Sequence, residues 1–121
     1  MEKKIQKVLR TEKPWGHELL WLDTDKVIAK ILVIKKNQRL SLQYHKVKSE
    51  VMVLSRGSVI LVLEGEEIVM LPECSYHIGP GMVHRLVAYE DSEVVEVSMH
   101  LSVQKLEKDD IVRLEDDYGR I

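Results

Sequence analysis

The sequence has few of the features that mark secreted, membrane-spanning or nucleic-acid-binding proteins. Its one cysteine, Cys74, excludes an internal disulfide and favours a reducing, cytosolic setting. No apolar run approaches the roughly 20 residues that cross a bilayer, and the first ten residues lack the apolar region of a signal peptide. The net charge of −2 gives no global attraction to nucleic acid or to anionic membranes. We therefore expect a cytoplasmic protein that binds neither nucleic acid nor membrane.

The 121 residues are expected to form one domain over residues 1–121, because no repeat, low-complexity segment or linker interrupts them. A chain of this length can bury a core without disulfides. We expect a barrel over about residues 14–100 and a carboxy-terminal arm over about residues 101–121. The arm is expected to be either a short helix or a strand over the barrel. The locally basic residues 1–10 are expected to be a solvated tail.

The fold is expected to be all-β, because short apolar runs alternate with turn residues at intervals of roughly 8–12 residues. The clearest run is Val27–Ile34, which is rich in β-branched residues and too short and unbroken for a surface helix. Further strands are expected at Glu18–Leu22, Leu40–His45, Val51–Leu54, Ser58–Leu63, Glu67–Leu71, Ser75–Ile78, Val83–Ala88 and Glu93–Met99. This pattern is typical of an all-β barrel or sandwich.

The stretch LSLQYHKVKSEVMVLSRG holds three side chains that can bind a metal, at the spacing Q-x-H-x4-E. Gln43 and His45 point to the same side of a strand, because successive side chains alternate. A straight strand would turn Glu50 to the opposite side, but the polar bend at residues 46–49 can swing it back. His84 follows a Gly-Pro-Gly turn and could complete the set.

An amide oxygen, two imidazoles and a carboxylate form a nitrogen and oxygen set suited to zinc, manganese, iron, cobalt or nickel. A catalytic metal also needs coordination positions left open for water or substrate. Each of these side chains alone is more often a hydrogen-bonded core residue or a solvated strand residue. Their combination with flanking turns predicts one divalent metal ion, with Gln43, His45, Glu50 and His84 as its ligands.

This combination resembles the two signature motifs of the cupin family. In the first motif Gln43, His45, Glu50 and Gly57 fit the frame, with the glutamine in place of the usual first histidine. The second motif is Pro-x-Gly-x-x-His, and GPGMVH ending at His84 fits it except for the first glycine. The resemblance implies a single-domain cupin, that is, a jelly-roll barrel or double-stranded β-helix.

Within the cupins, the chain resembles the type II mannose-6-phosphate isomerase domain. The matching stretches KPWGHELL, NQRLSLQYHKVKSE, HRL and DDIVRLEDDYGR occur in order between Lys13 and Arg120. The resemblance implies a metal-dependent isomerase that interconverts mannose 6-phosphate and fructose 6-phosphate through an enediol(ate). It also implies a homodimer, because small cupins commonly pair along edge strands. The alternative is a non-catalytic, metal-containing cupin that binds a sugar or another small metabolite. Lys48 and Val51 favour that alternative, since the family usually has Arg and often His there.

An isomerase of this class must hold a phosphate, for which arginine and lysine are suited. The resemblance points to Arg85, directly after the candidate ligand His84, and to Arg113 and Arg120 in the family-specific tail. Lys30 shares a strand face with apolar residues, so that it either enters the cavity or lies along the surface with its stem buried. These four cations are the candidate substrate-binding residues.

The reaction also moves a proton between two carbons, which requires a side chain with a pKa near neutrality. Lys48 and Glu96 are both candidates for this relay, and the sequence leaves the choice between them open. Arg85 is the third candidate catalytic residue, since it could contact substrate hydroxyls.

Overall fold

The computed structural model describes residue 5, residues 7–100 and residues 110–121. Within these residues the chain forms β-strands and no helix, which confirms the all-β prediction, and no segment is a membrane-spanning helix. The strands are β1 (Leu9–Lys13), β2 (Gly16–Asp23), β3 (Val27–Ile34), β4 (Leu42–Tyr44), β5 (Ser49–Arg56), β6 (Val59–Leu63), β7 (Glu66–Val69), β8 (Ser75–Ile78), β9 (His84–Ala88), β10 (Ser92–Met99) and β11 (Val112–Glu115).

The strands form two antiparallel sheets that share one core. The first sheet has the order β1-β2-β3-β10-β5-β8, and the second has the order β11-β4-β9-β6-β7. Alternate residues of each strand point inward, so that Ile34 and Met52 of the first sheet and Leu61 and Leu86 of the second belong to one buried cluster. Most of the predicted strands are confirmed, and β3 has the predicted bounds. This is the jelly-roll arrangement that the sequence predicts.

The amino-terminal region differs from its prediction. Residues 1–10 are expected to be a solvated tail, but Leu9 and Arg10 are already part of β1, which pairs with β2. The chain can return at once because Lys13 pairs with Gly16, leaving only Pro14 and Trp15 in the turn. Trp15 is buried in the core and anchors this hairpin. The prediction of a tail is therefore wrong for the last residues of that segment.

The described part of the carboxy-terminal arm, residues 110–121, contains a strand rather than a helix. β11 pairs with β4 at the edge of the second sheet. Beyond it, Asp117 accepts two hydrogen bonds from Arg39, at 2.6 and 2.8 Å, and the Tyr118 hydroxyl donates to Gln38. The strand alternative is confirmed for this part, while residues 101–109 of the predicted arm lie outside the described residues.

The bend at residues 45–48 carries the chain from one sheet to the other. β4 belongs to the second sheet and β5, which follows directly, belongs to the first. Because the two sheets face each other, this crossing turns Glu50 toward the same interior space as Gln43 and His45. The predicted return of Glu50 to the face of His45 is therefore confirmed.

Candidate metal centre

Two histidines and one glutamate converge between the sheets. His45 follows β4, His84 begins β9, and Glu50 lies near the start of β5; all three are at most 3% exposed. Glu50 Oε1 lies 2.7 Å from His45 Nε2 and 3.2 Å from His84 Nε2. One ligand atom from each residue can be chosen so that all lie within 4.8 Å of one another. The three side chains therefore offer a compact site for one cation.

The other nitrogen of each imidazole determines its tautomer. His45 Nδ1 lies 2.6 Å from the backbone carbonyl oxygen of Asp110, and His84 Nδ1 lies 2.9 Å from that of Met82. A carbonyl oxygen only accepts hydrogen bonds, so each Nδ1 must carry the proton. In the neutral ring the Nε2 atom then has a free lone pair. In each ring this lone pair lies on the nitrogen that faces Glu50.

This arrangement fits a divalent metal ion. His45 Nε2, His84 Nε2 and Glu50 Oε1 are buried and have no hydrogen-bond partner. With both imidazoles neutral, these three acceptor atoms have no donor among them and repel, so the site needs either a proton or a cation between them, because buried polar atoms are rarely left unpaired. A cation removes the repulsion, and Nδ1–H bonds to carbonyl oxygens are the usual support of metal-binding histidines. The donor set of two nitrogens and one oxygen suits zinc and related ions.

Gln43 lies beside this cluster. It pairs directly with His84 across β4 and β9, which places both side chains on the same face of the second sheet. Its Oε1 accepts a hydrogen bond of 2.9 Å from the Ser41 hydroxyl, and the side chain lines the cavity described below. The second lone pair of this amide oxygen remains free to bind a metal. The assignment of Gln43 as the fourth ligand stays a prediction.

The pKa values of two carboxyl groups in this region are shifted in opposite directions. Burial alone would raise the pKa of Glu50, but in the metal-free protein the hydrogen bonds that His45 and His84 donate from Nε2 when protonated, and the charge of His45, hold that pKa well below its usual value. Glu96 lies two residue pairs away on the same face of the sheet, since β10 pairs Ser98 with Glu50 and Glu96 with Met52. Burial, and next the charge of Glu50, raise the pKa of Glu96 well above its usual value. Glu50 is therefore the more acidic of the two groups, and Glu96 keeps its proton to higher pH.

A cavity of about 460 Å³ opens beside the cluster. Its wall includes Gln43, His45, Glu50 and Glu96. It also includes five cationic side chains, Lys13, Lys30, Lys48, Arg113 and Arg120, and one further acid, Glu18. The site therefore combines a candidate metal centre with a surplus of positive charge.

The cations of the cavity are neutralised to different degrees. Lys30 enters the cavity, one of the two alternatives left open by the sequence, and its Nζ lies 3.1 Å from Glu18 Oε1. Lys13 Nζ is 4.0 Å from the same oxygen. Lys48 is 6% exposed and acts electrostatically on both Glu50 and Glu96. Lys13 is thus less closely paired with an acid than Lys30 is, and has more freedom to bind an anionic ligand.

The three candidate arginines lie in different surroundings. Arg120 lines the cavity but makes two hydrogen bonds of 2.8 Å from its guanidinium to Asp116. Arg113 also lines the cavity, directly across from Gln43 in the β11–β4 pair, and its buried Nε has no hydrogen-bond partner. Arg113 therefore lines the cavity with donor capacity left for a ligand.

The structure does not bring Arg85 to the cavity wall. Successive residues of a strand point to opposite faces, so Arg85 turns away when His84 points to the interior. Its Nε donates to the Leu40 carbonyl oxygen at 3.0 Å, and its Nη1 lies 3.6 Å from Glu115 of the arm. Arg85 is thus placed to hold the arm, on the side opposite the metal centre.

The β1–β2 hairpin contributes to the site, which was not predicted from the sequence. Thr11, Lys13 and Glu18 line the cavity, because alternate residues of the paired strands β1 and β2 face it. The available signal was the Pro14-Trp15-Gly16 turn, which implies that the residues before it return along those after it. Ser41, which donates to Gln43, could have been found by its spacing of two from the candidate ligand.

Comparison with known proteins identifies relatives along most of the chain. The family model described as "Mannose-6-phosphate isomerase C-terminal" matches residues 1–116. The xanthan biosynthesis protein XanB of Xanthomonas campestris pv. campestris is 35% identical over 111 residues, which cover 89% of this chain and 23% of that protein. The mannose-1-phosphate guanylyltransferase ManC of Salmonella typhimurium is 30% identical over 111 residues, covering 90% and 22%. The chain thus spans about a quarter of the length of these curated relatives.

Solved structures of low sequence identity share the fold. Streptomyces Pac13 with uridine superposes with a TM-score of 0.77 at 10% identity, over 96% of this chain and 93% of that one. Such low identity shows the fold alone, and the cupin fold predicted from the two motifs is confirmed.

Proposed function

The chain belongs to the mannose-6-phosphate isomerase C-terminal family of cupin domains, and we propose that it is a metal-dependent sugar-phosphate isomerase. Its proposed reaction interconverts mannose 6-phosphate and fructose 6-phosphate through an enediol(ate). The observation that carries this proposal is the pairing of a buried cluster of three unpartnered ligand atoms with a cationic cavity next to it. Family membership supplies the substrate class, and the cavity supplies the chemistry that such a substrate requires.

The charge of the cavity favours an anionic ligand. Five cationic side chains line it against three carboxyl groups, and burial favours the neutral form of one of those, Glu96. Two acids are then left against five cations, and a bound divalent metal adds further positive charge. A volume of about 460 Å³ also lies within the range of roughly 300–1,000 Å³ that is usual for small-molecule sites. A sugar phosphate fits both conditions.

His45, Glu50 and His84 would hold the metal, with the amide oxygen of Gln43 as a further donor. A bound divalent metal supplies Lewis-acid stabilisation of the negative charge that develops on the substrate oxygen. The Nδ1–H bonds to backbone carbonyl oxygens leave Nε2 of each imidazole as the atom that can bind a metal. Ser41 holds the Gln43 amide in place through its hydroxyl.

Proton transfer between C1 and C2 of the sugar is assigned to Glu96. An efficient acid–base group has a pKa near the working pH, and burial beside Glu50 moves the pKa of Glu96 in that direction. Lys48 and Lys30 oppose the shift, which lets the carboxyl group release its proton as well as hold it. Lys48 then stabilises the ionised form instead of carrying the proton.

The phosphate is assigned to Arg113 and Lys13. Arg113 has an unpartnered buried Nε, and Lys13 is the cavity lysine held only loosely by Glu18, at 4.0 Å. Guanidinium and ammonium groups bind phosphate by charge-assisted hydrogen bonds. Arg120 is already paired with Asp116 and Lys30 with Glu18, so these two cations are not assigned to the phosphate.

A coupled assay with mannose 6-phosphate tests the proposal. We expect turnover by metal-loaded protein, loss of turnover after chelation, and recovery when the metal is restored. Arg113→Gln should raise KM at least about tenfold, since a charge-assisted bond to the phosphate is lost. The matched control is Arg56→Gln, because Arg56 is an exposed arginine paired with Glu93 at the surface.

Metal-loaded protein without turnover above background would remove the isomerase proposal. Calorimetric binding of the sugar phosphate by such inactive protein would instead support the non-catalytic cupin that binds a metabolite. The cytoplasmic location and the homodimer expected from the sequence stay predictions of the same proposal.

A further inference from the structure

The bend between β4 and β5 is wrapped around one side chain of the carboxy-terminal arm. The backbone N–H groups of Lys46, Val47 and Lys48 all donate to the Asp110 carboxylate, at 2.9, 3.0 and 3.1 Å. Successive N–H groups that converge on one anion form a concave anion-binding nest. The carboxylate of Asp110 therefore determines the path of the bend.

The backbone of the same residue contacts a candidate ligand directly. The Asp110 carbonyl oxygen accepts the Nδ1–H bond of His45 at 2.6 Å. This bond fixes the ring orientation and leaves Nε2 as the metal-binding atom. One residue of the arm thus contacts His45 and also shapes the bend that carries Glu50 into the site.

Asp110 is itself held in place by the rest of the arm. β11 begins two residues later and pairs with β4, the strand that directly precedes His45. Farther along, the Arg39–Asp117 and Tyr118–Gln38 contacts fasten the arm to the second sheet. The residues after Asp110 therefore hold it in place, and its hydrogen bonds position the bend and the His45 imidazole.

We propose that Asp110 is a positioning residue of the metal centre, which sets His45 and Glu50 at metal-binding separation by organising the bend between them. Because Asp110 belongs to the carboxy-terminal arm, its hydrogen bonds to the bend and to His45 make metal affinity depend on the arm. By thermodynamic reciprocity, metal binding must in turn stabilise the bonds between the bend and Asp110.

The inference rests on the metal site of the proposed function but not on the isomerase reaction. Its test therefore measures metal binding. Wild-type protein that binds no metal would contradict the metal site itself. Wild-type protein that binds metal, with a variant that binds it equally well, would contradict only the role of Asp110.

The test compares Asp110→Ala and Asp110→Asn with wild type, using zinc in competition with a chromophoric chelator. We expect Asp110→Ala to weaken zinc affinity by about 10- to 100-fold, the usual effect of losing a group that orients a ligand. Asp110→Asn keeps one acceptor oxygen and should lie between the two. The absorption spectrum of the cobalt-substituted protein should change in Asp110→Ala, because the ligand geometry changes.

The matched control is Asp117→Ala, which removes another aspartate of the same arm and its bonds to Arg39. It should keep the wild-type zinc affinity and cobalt spectrum. Wild-type affinity and spectrum in Asp110→Ala would overturn the inference. Equal weakening by Asp117→Ala would also overturn it, because loosening of the arm would then explain both.

Hydrogen exchange of the wild-type protein provides a second test that needs no variant, should Asp110→Ala fail to fold. Zinc should slow exchange of the amides of Lys46, Val47 and Lys48, which donate to Asp110, relative to protein with chelator. Exchange at these amides that does not respond to bound zinc would overturn the inference.

Discussion

At the scale of single residues, the environment of Glu96 has consequences for both stability and chemistry. Its carboxyl group is buried beside the ionised Glu50, and both conditions raise its pKa. Folded protein then binds a proton that unfolded protein releases. In metal-free protein, the contribution of Glu96 to stability therefore falls as the pH rises from the unfolded pKa of glutamate, about 4.3, toward the folded pKa.

Glu96→Gln should remove this loss of stability, because the amide is neutral at every pH and still has an N–H to donate to Glu50. In the presence of chelator, the variant should match wild type in unfolding free energy near pH 4 and exceed it at pH 7. Its kcat should fall by about 10²-fold or more, with metal content retained, if Glu96 transfers the proton. Urea unfolding at both pH values measures the first effect.

The control is Glu93→Gln, which lies on the same strand but pairs with Arg56 at the surface. It should show no gain at pH 7. A Glu96→Gln variant that is less stable than wild type at pH 7 would contradict the protonated state of Glu96.

Single residues also show what the sequence could and could not predict of the site. His45, Glu50 and His84 were predictable, because metal ligands follow short spacings and turns. Strand alternation left Lys30 either in the cavity or along the surface, and its partner Glu18 in the cavity depends on the pairing of β2 with β3. Arg85 was expected at the site because it follows His84 in the sequence, but successive strand residues point to opposite faces, so Arg85 points away from the cavity. Cavity contacts of this kind are decided by pairing across strands, which a single sequence does not contain.

At the scale of elements, the turn from β5 to β6 depends on Gly57. Its φ of +96° is unfavourable for other residues, and an added Cβ would lie 2.2 Å from Ser92 Oγ and 2.6 Å from Ser92 Cα. Ser92 begins β10 and its hydroxyl accepts the Ser58 N–H, so it has little freedom to move. The glycine thus lets β5 end against the start of β10.

Gly57→Ala should lower the free energy of unfolding by about 2–4 kcal/mol, as the combined cost of backbone strain and overpacking. Gly65→Ala is the matched control. Gly65 has a similar φ of +81°, but an added Cβ would meet nothing within 4 Å. Gly65→Ala should lower the free energy of unfolding by about 1–2 kcal/mol, the cost of backbone strain alone. Equal losses in the two variants, measured by urea unfolding, would show that contact with Ser92 contributes nothing.

Strand elements were predicted well wherever turn residues bounded an apolar run. The hairpin from Leu63 to Glu66 is an example, since Glu64 and Gly65 both have positive φ, as a two-residue turn requires. β1 was missed because its sequence, LRTEK, is mostly charged and has a single apolar residue. Its strand conformation comes from pairing with β2 and not from its own composition, so apolar patterning gave no signal.

At the scale of the whole molecule, the buried cluster couples metal binding to folding. Its three unpartnered ligand atoms destabilise the metal-free fold, and the unfolded chain has no such site. Zinc at 100 times its dissociation constant should stabilise the protein by about 2.7 kcal/mol and raise its melting temperature.

Thermal unfolding with zinc and with chelator measures this stabilisation. His84→Ala should abolish it, because one ligand is lost. Zinc-loaded wild type that melts at the temperature of the chelated protein would contradict a site that forms only in the folded state.

The central claim is that His45 Nε2, Glu50 Oε1 and His84 Nε2 face one another because they bind one metal ion. Anomalous X-ray scattering from crystals of the zinc-loaded protein tests it most directly. We expect a single strong peak at about 2.0–2.2 Å from all three atoms, the usual length of zinc bonds to nitrogen and oxygen. Zinc bound elsewhere, with these three atoms joined only by a proton, would contradict it.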